Sequence, residues 1–394
     1  MGADIKSLEL IRRLVGFDTT SREPNRALIE YVRDYLGQFG VSSELIWNPE
    51  RSKANLWATI GPADRAGVIL SGHTDVVPVD GQDWSSDPFT LREDAGRLYG
   101  RGTADMKSFI AVALALVPEM TSRRLAHPIH LAFSYDEEIG CSGVQSLIAW
   151  LGRLPVRPEL CLVGEPTGLR PVIGHKGGRS CKVHVRGTEA HSSLAPLAVN
   201  AVEYAAELIV FLKGIASEMA SAGPRDDSYD ITHSTLQTGM IQGGTAINIV
   251  PQSCDFVFEF RYLPGIDPDA VVAKVERFAR EQLEPRMHAV SPQAGIELSP
   301  GYAYPALDTA ADHPAVRLVK SLAGRNDDAK VAFGTEGGLF QSRLGIPTVV
   351  CGPGSITEAH KPDEYVSVDQ VLRCESFIGR LIDRAAQPGP LLGG

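Results

Sequence analysis

The sequence predicts an α/β protein, in which a mostly parallel sheet with helices on both faces carries a smaller, inserted α/β sandwich. Two observations lead to this fold class. In residues 1–175, short apolar runs of strand type alternate with amphipathic segments of helical type. Residues 176–290 instead follow a strand, helix, strand, strand, helix order, which is typical of a small sandwich.

The larger domain is predicted to open with two helices, at residues 5–17 and 25–39, because Leu, Ile and Val recur there at helical spacing. Gly40 follows the second helix, where a left-handed cap residue is favoured. Further strands are predicted at residues 54–60, 67–70, 129–134, 160–163 and 348–351, and further helices at 106–120 and 143–151. Alternation of this kind favours parallel pairing of the strands.

Residues 176–290 are predicted to be an insertion, since candidate site residues lie on both sides of them. The larger domain then comprises residues 1–175 and 291–394. Within the insertion, strands are predicted at 179–185, 235–243 and 253–262, and helices at 196–215 and 268–284. Residues 217–229, rich in Ser, Ala, Gly and Asp, are expected to form a flexible loop.

The composition is that of a soluble globular chain of 394 residues, with 43% hydrophobic residues and a formal net charge of −10. Without a dense run of Lys or Arg, nucleic acids and anionic membranes are unfavourable partners, and a small molecule is expected. No apolar run reaches membrane-spanning length, and residues 1–6 lack a signal-peptide core, which predicts a cytoplasmic location. The six scattered cysteines are interpreted as reduced core thiols, and a nucleophilic Cys141 is the less favoured alternative.

Five short motifs place a carboxylate or an imidazole just after an apolar run. They are Ser71-Gly72-His73-Thr74-Asp75, Gly102-Thr103-Ala104-Asp105-Met106, Tyr135-Asp136-Glu137-Glu138, Val163-Gly164-Glu165-Pro166 and Glu358-Ala359-His360. Because ligands gather at the carboxyl ends of parallel strands, we expect all five at one sheet edge. Carboxylates and imidazoles without cysteine suit Zn²⁺ or a similar divalent ion, and the set predicts a two-metal hydrolytic site.

Several of these residues also have an ordinary structural explanation. Asp75 is placed to accept the second ring N–H of His73 and fix its tautomer, although such pairs are common on protein surfaces. Asp105 precedes a predicted helix, where capping competes with the bridging of two cations, and the neighbouring motifs favour bridging. Taken singly, Glu165 fits a helix start and His360 fits a loop.

Asp136-Glu137-Glu138 places three acids directly after a buried strand. A sheet end tolerates this only if cations neutralise the charge, unless the segment is a solvated loop. Because neighbouring side chains diverge in a strand-like geometry, Glu138 is assigned to the metal and Glu137 to proton transfer.

These motifs resemble the metallopeptidase family of acetylornithine deacetylase, succinyl-diaminopimelate desuccinylase and glutamate carboxypeptidase, over nearly the whole chain. The resemblance implies a catalytic domain with an inserted lid or dimerisation domain, and a pair of zinc ions, with cobalt as a substitute. It implies that one ion is held by His73, Asp105 and Glu165. It implies that the other is held by Asp105, Glu138 and His360, and that Glu137 is the general base.

The same resemblance implies that His191 stabilises an oxyanion, in its own site or in that of a partner subunit. It also implies substrate-binding roles for Asn248, Arg261 and the segment Gly334-Thr335-Glu336. The segments His175-Lys176-Gly177-Gly178 and Ala190-His191-Ser192-Ser193 look most like acetylornithine deacetylase. A further hypothesis is that the Glu336 carboxylate selects the side-chain ammonium of ornithine.

The expected activity is hydrolysis of the amide of an N-acyl amino acid by a homodimer, with N-acetyl-L-ornithine giving L-ornithine and acetate in arginine biosynthesis. Other amidohydrolases of N-acyl amino acids, and dipeptidases or carboxypeptidases, need the same metal site with another pocket. A non-catalytic binding protein on this fold is the alternative from another class. The intact Glu137 and ligand set disfavour it.

Overall fold

The structure is a computed structural model that describes residues 5–393. The described residues form two compact units. The first comprises residues 5–175, Leu307–Val331 and 335–393. The second comprises Lys176–Ala306 and Ala332–Gly334.

The elements are numbered along the chain. Up to residue 175 they are α1 (Leu8–Val15), α2 (Arg26–Gln38), β1 (Ser43–Trp47), β2 (Ala54–Ile60), β3 (Val68–His73), β4 (Arg92–Asp94), β5 (Arg97–Tyr99), α3 (Lys107–Ala115), α4 (Val117–Ser122), β6 (Ile129–Ser134), α5 (Val144–Leu151), β7 (Leu160–Pro166) and β8 (Val172–His175). The second unit contains β9 (Gly177–Arg186), α6 (Ala201–Ala222), β10 (Thr235–Gly243), β11 (Ser253–Tyr262), α7 (Pro268–Phe278), α8 (Glu284–Val290) and β12 (Gly295–Tyr304). The remaining elements are β13 (Leu307–Asp308), α9 (Pro314–Ala323), β14 (Ala329–Val331), α10 (Gly337–Leu344), β15 (Thr348–Gly352), β16 (Tyr365–Ser367) and α11 (Val368–Ala386).

Within the described residues, nine strands of the first unit form one sheet in the order β1-β2-β6-β3-β7-β15-β8-β13, with β14 paired to β8. The four central strands β6, β3, β7 and β15 are parallel, and β1 and β2 at one edge are antiparallel. This confirms the predicted α/β class. A separate sheet of three short strands has the order β16-β5-β4.

Successive residues of β3 show that helices cover both faces of the large sheet. A side chain at Gly72 would meet Met106 and Ile110, at the start of α3, so this face of the strand packs against that helix. Ser71 points to the opposite face and contacts Glu336, directly before α10. The apolar core fills the α3 side, where Phe109 and Ile110 are fully buried.

The second unit is an antiparallel sheet in the order β10-β11-β9-β12. Its helices bury a separate apolar core that includes Leu208 of α6 and Phe258 of β11. Residues 291–306 lie in this unit, beyond the predicted end of the insertion at 290, because β12 pairs with β9.

Several predicted boundaries differ from the structure for local reasons. The helix predicted at 106–120 is divided into α3 and α4 around Leu116, because Pro118 lacks an N–H and fits only a first helical turn. Helix α6 begins at Ala201, where the Asn200 side chain caps it, and it extends to Ala222 into the predicted loop. Gly40 is left-handed, with φ +71°, as predicted. No helix among the described residues combines the length and apolar character needed to cross a membrane.

Candidate metal centre

Three neighbouring parallel strands deliver most of the candidate ligands to one edge of the large sheet. His73 is the last residue of β3 and pairs in register with Ser134, the last residue of β6. Glu137 and Glu138 therefore follow β6 beside His73, and Glu165 is the penultimate residue of β7 on the other side. The placement follows from parallel pairing, because strands that run the same way end at the same edge.

Asp105 and His360 reach this edge from loops. Asp105 lies in the turn before α3, and the peptide bond that follows it is cis. His360 belongs to the segment after β15, a central strand of the sheet.

Asp105 lies between the two imidazoles. Its Oδ1 is 2.9 Å from Nε2 of His73, and its Oδ2 is 3.3 Å from Nε2 of His360. Nε2 of His73 is also 3.7 Å from Oε1 of Glu165, and Nε2 of His360 is 3.1 Å from Oε2 of Glu138. A carboxylate with one oxygen toward each imidazole has the geometry that a bridging ligand requires.

Two groups of three side chains each bring their potential ligand atoms within 4.8 Å of one another, and both groups include His73. One group adds Asp105 and Glu138, and the other adds Glu137 and Glu165. Glu137 is therefore as close to the donors as a ligand would be, whereas the sequence assigned it to proton transfer.

Burial and mutual charge shift the pKa values of this cluster. Burial and the charge of Asp105 raise the pKa of Glu165 to about 8. Burial, followed by the charge of Glu165, raises the pKa of Glu137 well above its ordinary value, and burial also raises that of Glu138. Hydrogen bonds that His360 donates to the carboxylates of Asp105 and Glu138 raise its pKa to about 10.

His73 and Asp105 shift in the directions expected of an ion pair. Burial alone would lower the pKa of His73, but the charge of Glu165 and the hydrogen bond with Asp105 raise it well above its ordinary value. Burial alone would raise the pKa of Asp105, yet the two imidazoles lower it. Buried carboxylates this close together need positive charge, and nitrogen and oxygen donors of this kind fit divalent cations such as Zn²⁺.

Asp75 orients His73 through a different atom from the one predicted. Nδ1 of His73 is 2.9 Å from the main-chain carbonyl oxygen of Asp75, whereas the Asp75 carboxylate is 3.7 Å away. That carboxylate instead accepts hydrogen bonds from the main-chain N–H of Glu137 and of Glu138, at 3.1 and 3.3 Å, and from the hydroxyl of Ser21. Asp75 therefore fixes the loop that carries both glutamates.

Asp136, the first acid of its motif, is neutralised by a lysine side chain. Its Oδ1 is 2.6 Å from Nζ of Lys53, and both side chains are largely buried. This ion pair neutralises one of the three acids, which the sequence did not reveal.

The burial of Glu336 contradicts the hypothesis that this residue binds a substrate ammonium. It is fully buried, and its two oxygens accept hydrogen bonds from the hydroxyls of Ser71 and Ser134, at 2.5 and 2.6 Å. Thr335 is also fully buried, and its hydroxyl accepts a hydrogen bond from the N–H of Gly337. Both side chains are therefore structural parts of the sheet unit, and Gly334 belongs to the second unit.

The remaining predicted residues lie in the second unit. His191 is exposed, and it is joined to the exposed Asn248 through the main chain, because Ser192 N–H donates to the carbonyl of Asn248 at 3.0 Å. Arg261 of β11 forms an ion pair with Glu259. Its guanidinium also lies over the ring of Tyr304, at 5.6 Å from the ring centroid.

Sequence reasoning missed Glu364, a fully buried carboxylate that contacts the Asp105 turn. The one sequence feature that connects Glu364 with the site is its position four residues after His360. That signal is weak, because a charged residue in a loop is ordinarily exposed.

Comparison with known proteins adds to this geometry. Residues 69–384 match the model of the peptidase family M20/M25/M40. The chain belongs to this family. It is therefore a metallohydrolase of the M20/M25/M40 class, and the resemblance drawn from its motifs is confirmed.

Two curated relatives within the family illustrate the similarity. Acetylornithine deacetylase of Proteus mirabilis is 33% identical over 387 residues, which are 95% of this chain and 96% of the relative. Acetylornithine deacetylase of Myxococcus xanthus is 35% identical over 384 residues, 94% of this chain and 95% of the relative. Among solved structures, an M20 family metallo-carboxypeptidase from Sulfolobus solfataricus has a TM-score of 0.76 at 18% identity. That similarity covers 98% of this chain and all of the other chain, and it shows the shared fold.

Proposed function

We propose that this protein hydrolyses the amide bond of N-acyl amino acids, and that N-acetyl-L-ornithine, which gives L-ornithine and acetate, is its main substrate. The observation that carries the proposal is the position of Asp105 between His73 and His360, with Glu137 beside them. The substrate follows from relatives of about one-third identity that bear the name acetylornithine deacetylase. Ornithine release would serve arginine biosynthesis, and we place the enzyme in the cytoplasm.

Two divalent cations would complete the site. His73, Asp105 and Glu165 would hold one of them, and Asp105, Glu138 and His360 the other. We favour Zn²⁺, with Co²⁺ as a substitute, because the donors are nitrogen and oxygen. When bound, such cations polarise the substrate carbonyl and acidify water.

Glu137 is the residue proposed to move protons. Glu137 is half-buried, and its carboxylate accepts a hydrogen bond from the thiol of Cys141 at 3.4 Å. Because burial and the charge of Glu165 raise its pKa, it takes a proton from water more readily than an exposed glutamate would. The same carboxyl group then gives that proton to the leaving amine.

The second unit is proposed to supply groups that bind the substrate. His191 would stabilise the negative oxygen of the tetrahedral intermediate, in its own site or in the site of a partner subunit. Arg261 offers a guanidinium fork that suits a substrate carboxylate, and the exposed amide of Asn248 offers a further donor. The unit would act as a lid or as a dimerisation domain.

We propose that the protein is a homodimer formed through the second unit. Strand β10 lies at an edge of its sheet, and its adjacent residues Met240 and Ile241 are 70% and 55% exposed. Val210 of α6 is 69% exposed. An unpaired strand edge beside exposed apolar side chains favours association. Sedimentation of the wild type and of Val210→Glu tests this, and a monomeric wild type would contradict it.

The first experiment is an assay of the purified protein with added Zn²⁺ or Co²⁺ on N-acetyl-L-ornithine, other N-acetyl and N-succinyl amino acids, and dipeptides. We expect the fastest amine release from N-acetyl-L-ornithine. A preference for another N-acyl amino acid would keep the chemistry and change the substrate. A preference for dipeptides would replace the proposed activity by a peptidase. No turnover with two metals bound would favour a non-catalytic binding protein.

A further inference from the structure

The Glu364 carboxylate holds the turn that carries Asp105. Its Oε1 accepts hydrogen bonds from the main-chain N–H groups of Gly102, Ala104 and Asp105, at 3.0, 2.9 and 3.1 Å. This turn precedes α3 and contains Gly102 with a φ of +86°, so its N–H groups need acceptors from outside a regular element. One buried oxygen therefore fixes the backbone of the proposed bridging ligand.

The other oxygen of Glu364 is linked to His360 by a series of hydrogen bonds. Oε2 accepts a hydrogen bond of 2.6 Å from Nη1 of Arg101, which is itself buried. Nη2 of Arg101 donates to Oε1 of Gln82 at 2.6 Å, and Nε2 of Gln82 donates to the main-chain carbonyl of His360 at 3.0 Å. A continuous set of hydrogen bonds thus joins the backbone of Asp105 to the backbone of His360.

We infer that Glu364 is a positioning residue, which sets the separation of Asp105 and His360 and thereby the spacing of the two cations. This inference rests on the proposed function, because it needs the cation pair. Glu364 touches neither substrate nor reacting atoms, and it acts through Asp105 and, by way of Arg101 and Gln82, through His360.

Stability alone does not account for this arrangement. A fully buried Arg101–Glu364 ion pair loses hydration on both sides, and a well-packed apolar pair is often as stable. Apolar side chains, however, could not accept hydrogen bonds from three N–H groups and also hold the guanidinium of Arg101 in place. The charged pair is therefore suited to fixing geometry.

The test is Glu364→Gln in the full-length protein, compared with Glu375→Gln. Glu375 is also a buried carboxylate, and it accepts its hydrogen bonds from N–H and hydroxyl of Ser7, in the first helix region. Zn²⁺ affinities are measured by calorimetric titration of the metal-free protein, and the visible spectrum is recorded after Co²⁺ loading. We expect Glu364→Gln to lose about 10- to 100-fold in Zn²⁺ affinity and to change the Co²⁺ spectrum, whereas Glu375→Gln matches the wild type.

Gln82→Glu separates the His360 branch from the Asp105 branch. The new carboxylate still accepts from Arg101 but no longer donates to the His360 carbonyl. We expect this variant to lower the affinity for the cation held by Glu138 and His360, and to leave the affinity for the other cation unchanged. Because Gln82 is partly exposed, this variant also serves if Glu364→Gln does not fold.

The outcomes separate the inference from the proposed function. A wild type that binds fewer than two Zn²⁺ ions would overturn the proposed function. A wild type that binds two, with unchanged affinities and an unchanged Co²⁺ spectrum in Glu364→Gln, would overturn the positioning role. If that variant does not fold, unchanged affinities in Gln82→Glu would overturn it.

Discussion

The hydroxyl of Ser71 donates a 2.5 Å hydrogen bond to Glu336, a residue 265 positions later in the chain. Ser134 donates to the other oxygen of the same carboxyl group. Because these serines belong to the adjacent strands β3 and β6, Glu336 joins the strands that deliver His73 and the Glu137-Glu138 pair. It does so from the face of the sheet opposite α3, directly before α10.

Substitution of Glu336 separates a structural role from substrate recognition. We expect Glu336→Gln to change KM for N-acetyl-L-ornithine and for an N-acetyl amino acid with an uncharged side chain by the same factor, since the residue does not face substrate. We expect Glu336→Ala to lower the free energy of unfolding by about 2–4 kcal/mol, because two buried hydroxyls lose their acceptor and a cavity forms. Urea denaturation measures the second effect. A rise in KM confined to ornithine substrates would contradict the buried role.

Glu137→Gln tests the assignment of proton transfer. We expect kcat to fall by about 10²–10⁴ while two Zn²⁺ ions remain bound, because the amide cannot take a proton from water. Metal content by atomic emission and steady-state kinetics check this. Cys141→Ala, which removes the thiol next to Glu137, is the matched control and should keep its turnover. Loss of one metal in Glu137→Gln would instead make this residue a ligand.

Asp75→Asn should disturb the loop of Glu137 and Glu138 and leave the orientation of His73 in place. The main-chain carbonyl that contacts His73 is kept, but an NH₂ group replaces one carboxylate oxygen. This NH₂ group faces a main-chain N–H and cannot accept its hydrogen bond. We expect kcat to fall about 10- to 100-fold. Ser21→Ala, which removes the third donor to Asp75, is the milder comparison. Kinetics equal to those of the wild type would show that the loop does not depend on Asp75.

His130 should make the protein less stable in acid. Burial lowers its pKa from 6.5 to about 4, so the unfolded chain binds this proton more readily than the folded protein does. The stability is therefore complete above about pH 6.5 and is lost as the pH falls toward 4, by at most about 3 kcal/mol. His130→Phe keeps the stacking on Trp57 but removes the titration, so its stability should vary less over this range. Urea denaturation followed by tryptophan fluorescence measures the difference, and parallel pH profiles would refute it.

Metal removal should destabilise the protein more at higher pH. In the metal-free protein the pKa of Glu165 is raised to about 8, so the folded state binds that proton more tightly than the unfolded chain. Its stabilising effect is complete below the unfolded value of 4.5 and is lost as the pH rises toward 8. Cations take over the role of the proton, so the gain in Tm on adding Zn²⁺ should be larger at about pH 8 than at about pH 5.5. Thermal unfolding with and without chelator measures this, and an equal gain would contradict it.

The sequence predicted those parts of the fold that depend on local patterns. Strand β2 begins and ends at the predicted residues 54 and 60, and β6 at 129 and 134, because each is an apolar run bounded by polar residues or by Gly and Pro. The apolar runs predicted at 67–70 and 160–163 likewise placed His73 and Glu165 close to the ends of β3 and β7. Parallel pairing then brought them together without further information from the sequence.

Contacts between distant segments could not be predicted in this way. Glu336 lies within a glycine-rich segment that gives no sign of burial, and its partners Ser71 and Ser134 are ordinary strand residues. The ion pair of Lys53 with Asp136 likewise depends on the packing of two loops. Such hydrogen bonds have no sequence period, so propensity and spacing do not reveal them.

The order in which the strands occupy the sheet bears on how the protein is made. Strand β15 lies against β7 in the middle of the sheet, although it is formed by residues 348–352, near the end of the chain. During synthesis the ribosome releases His73, Asp105, Glu138 and Glu165 long before β15 and His360. Until then one side of β7 remains an open strand edge, which attracts other chains. A message truncated before residue 348 would therefore yield a protein that is prone to aggregate and that lacks one of the two imidazoles of the centre.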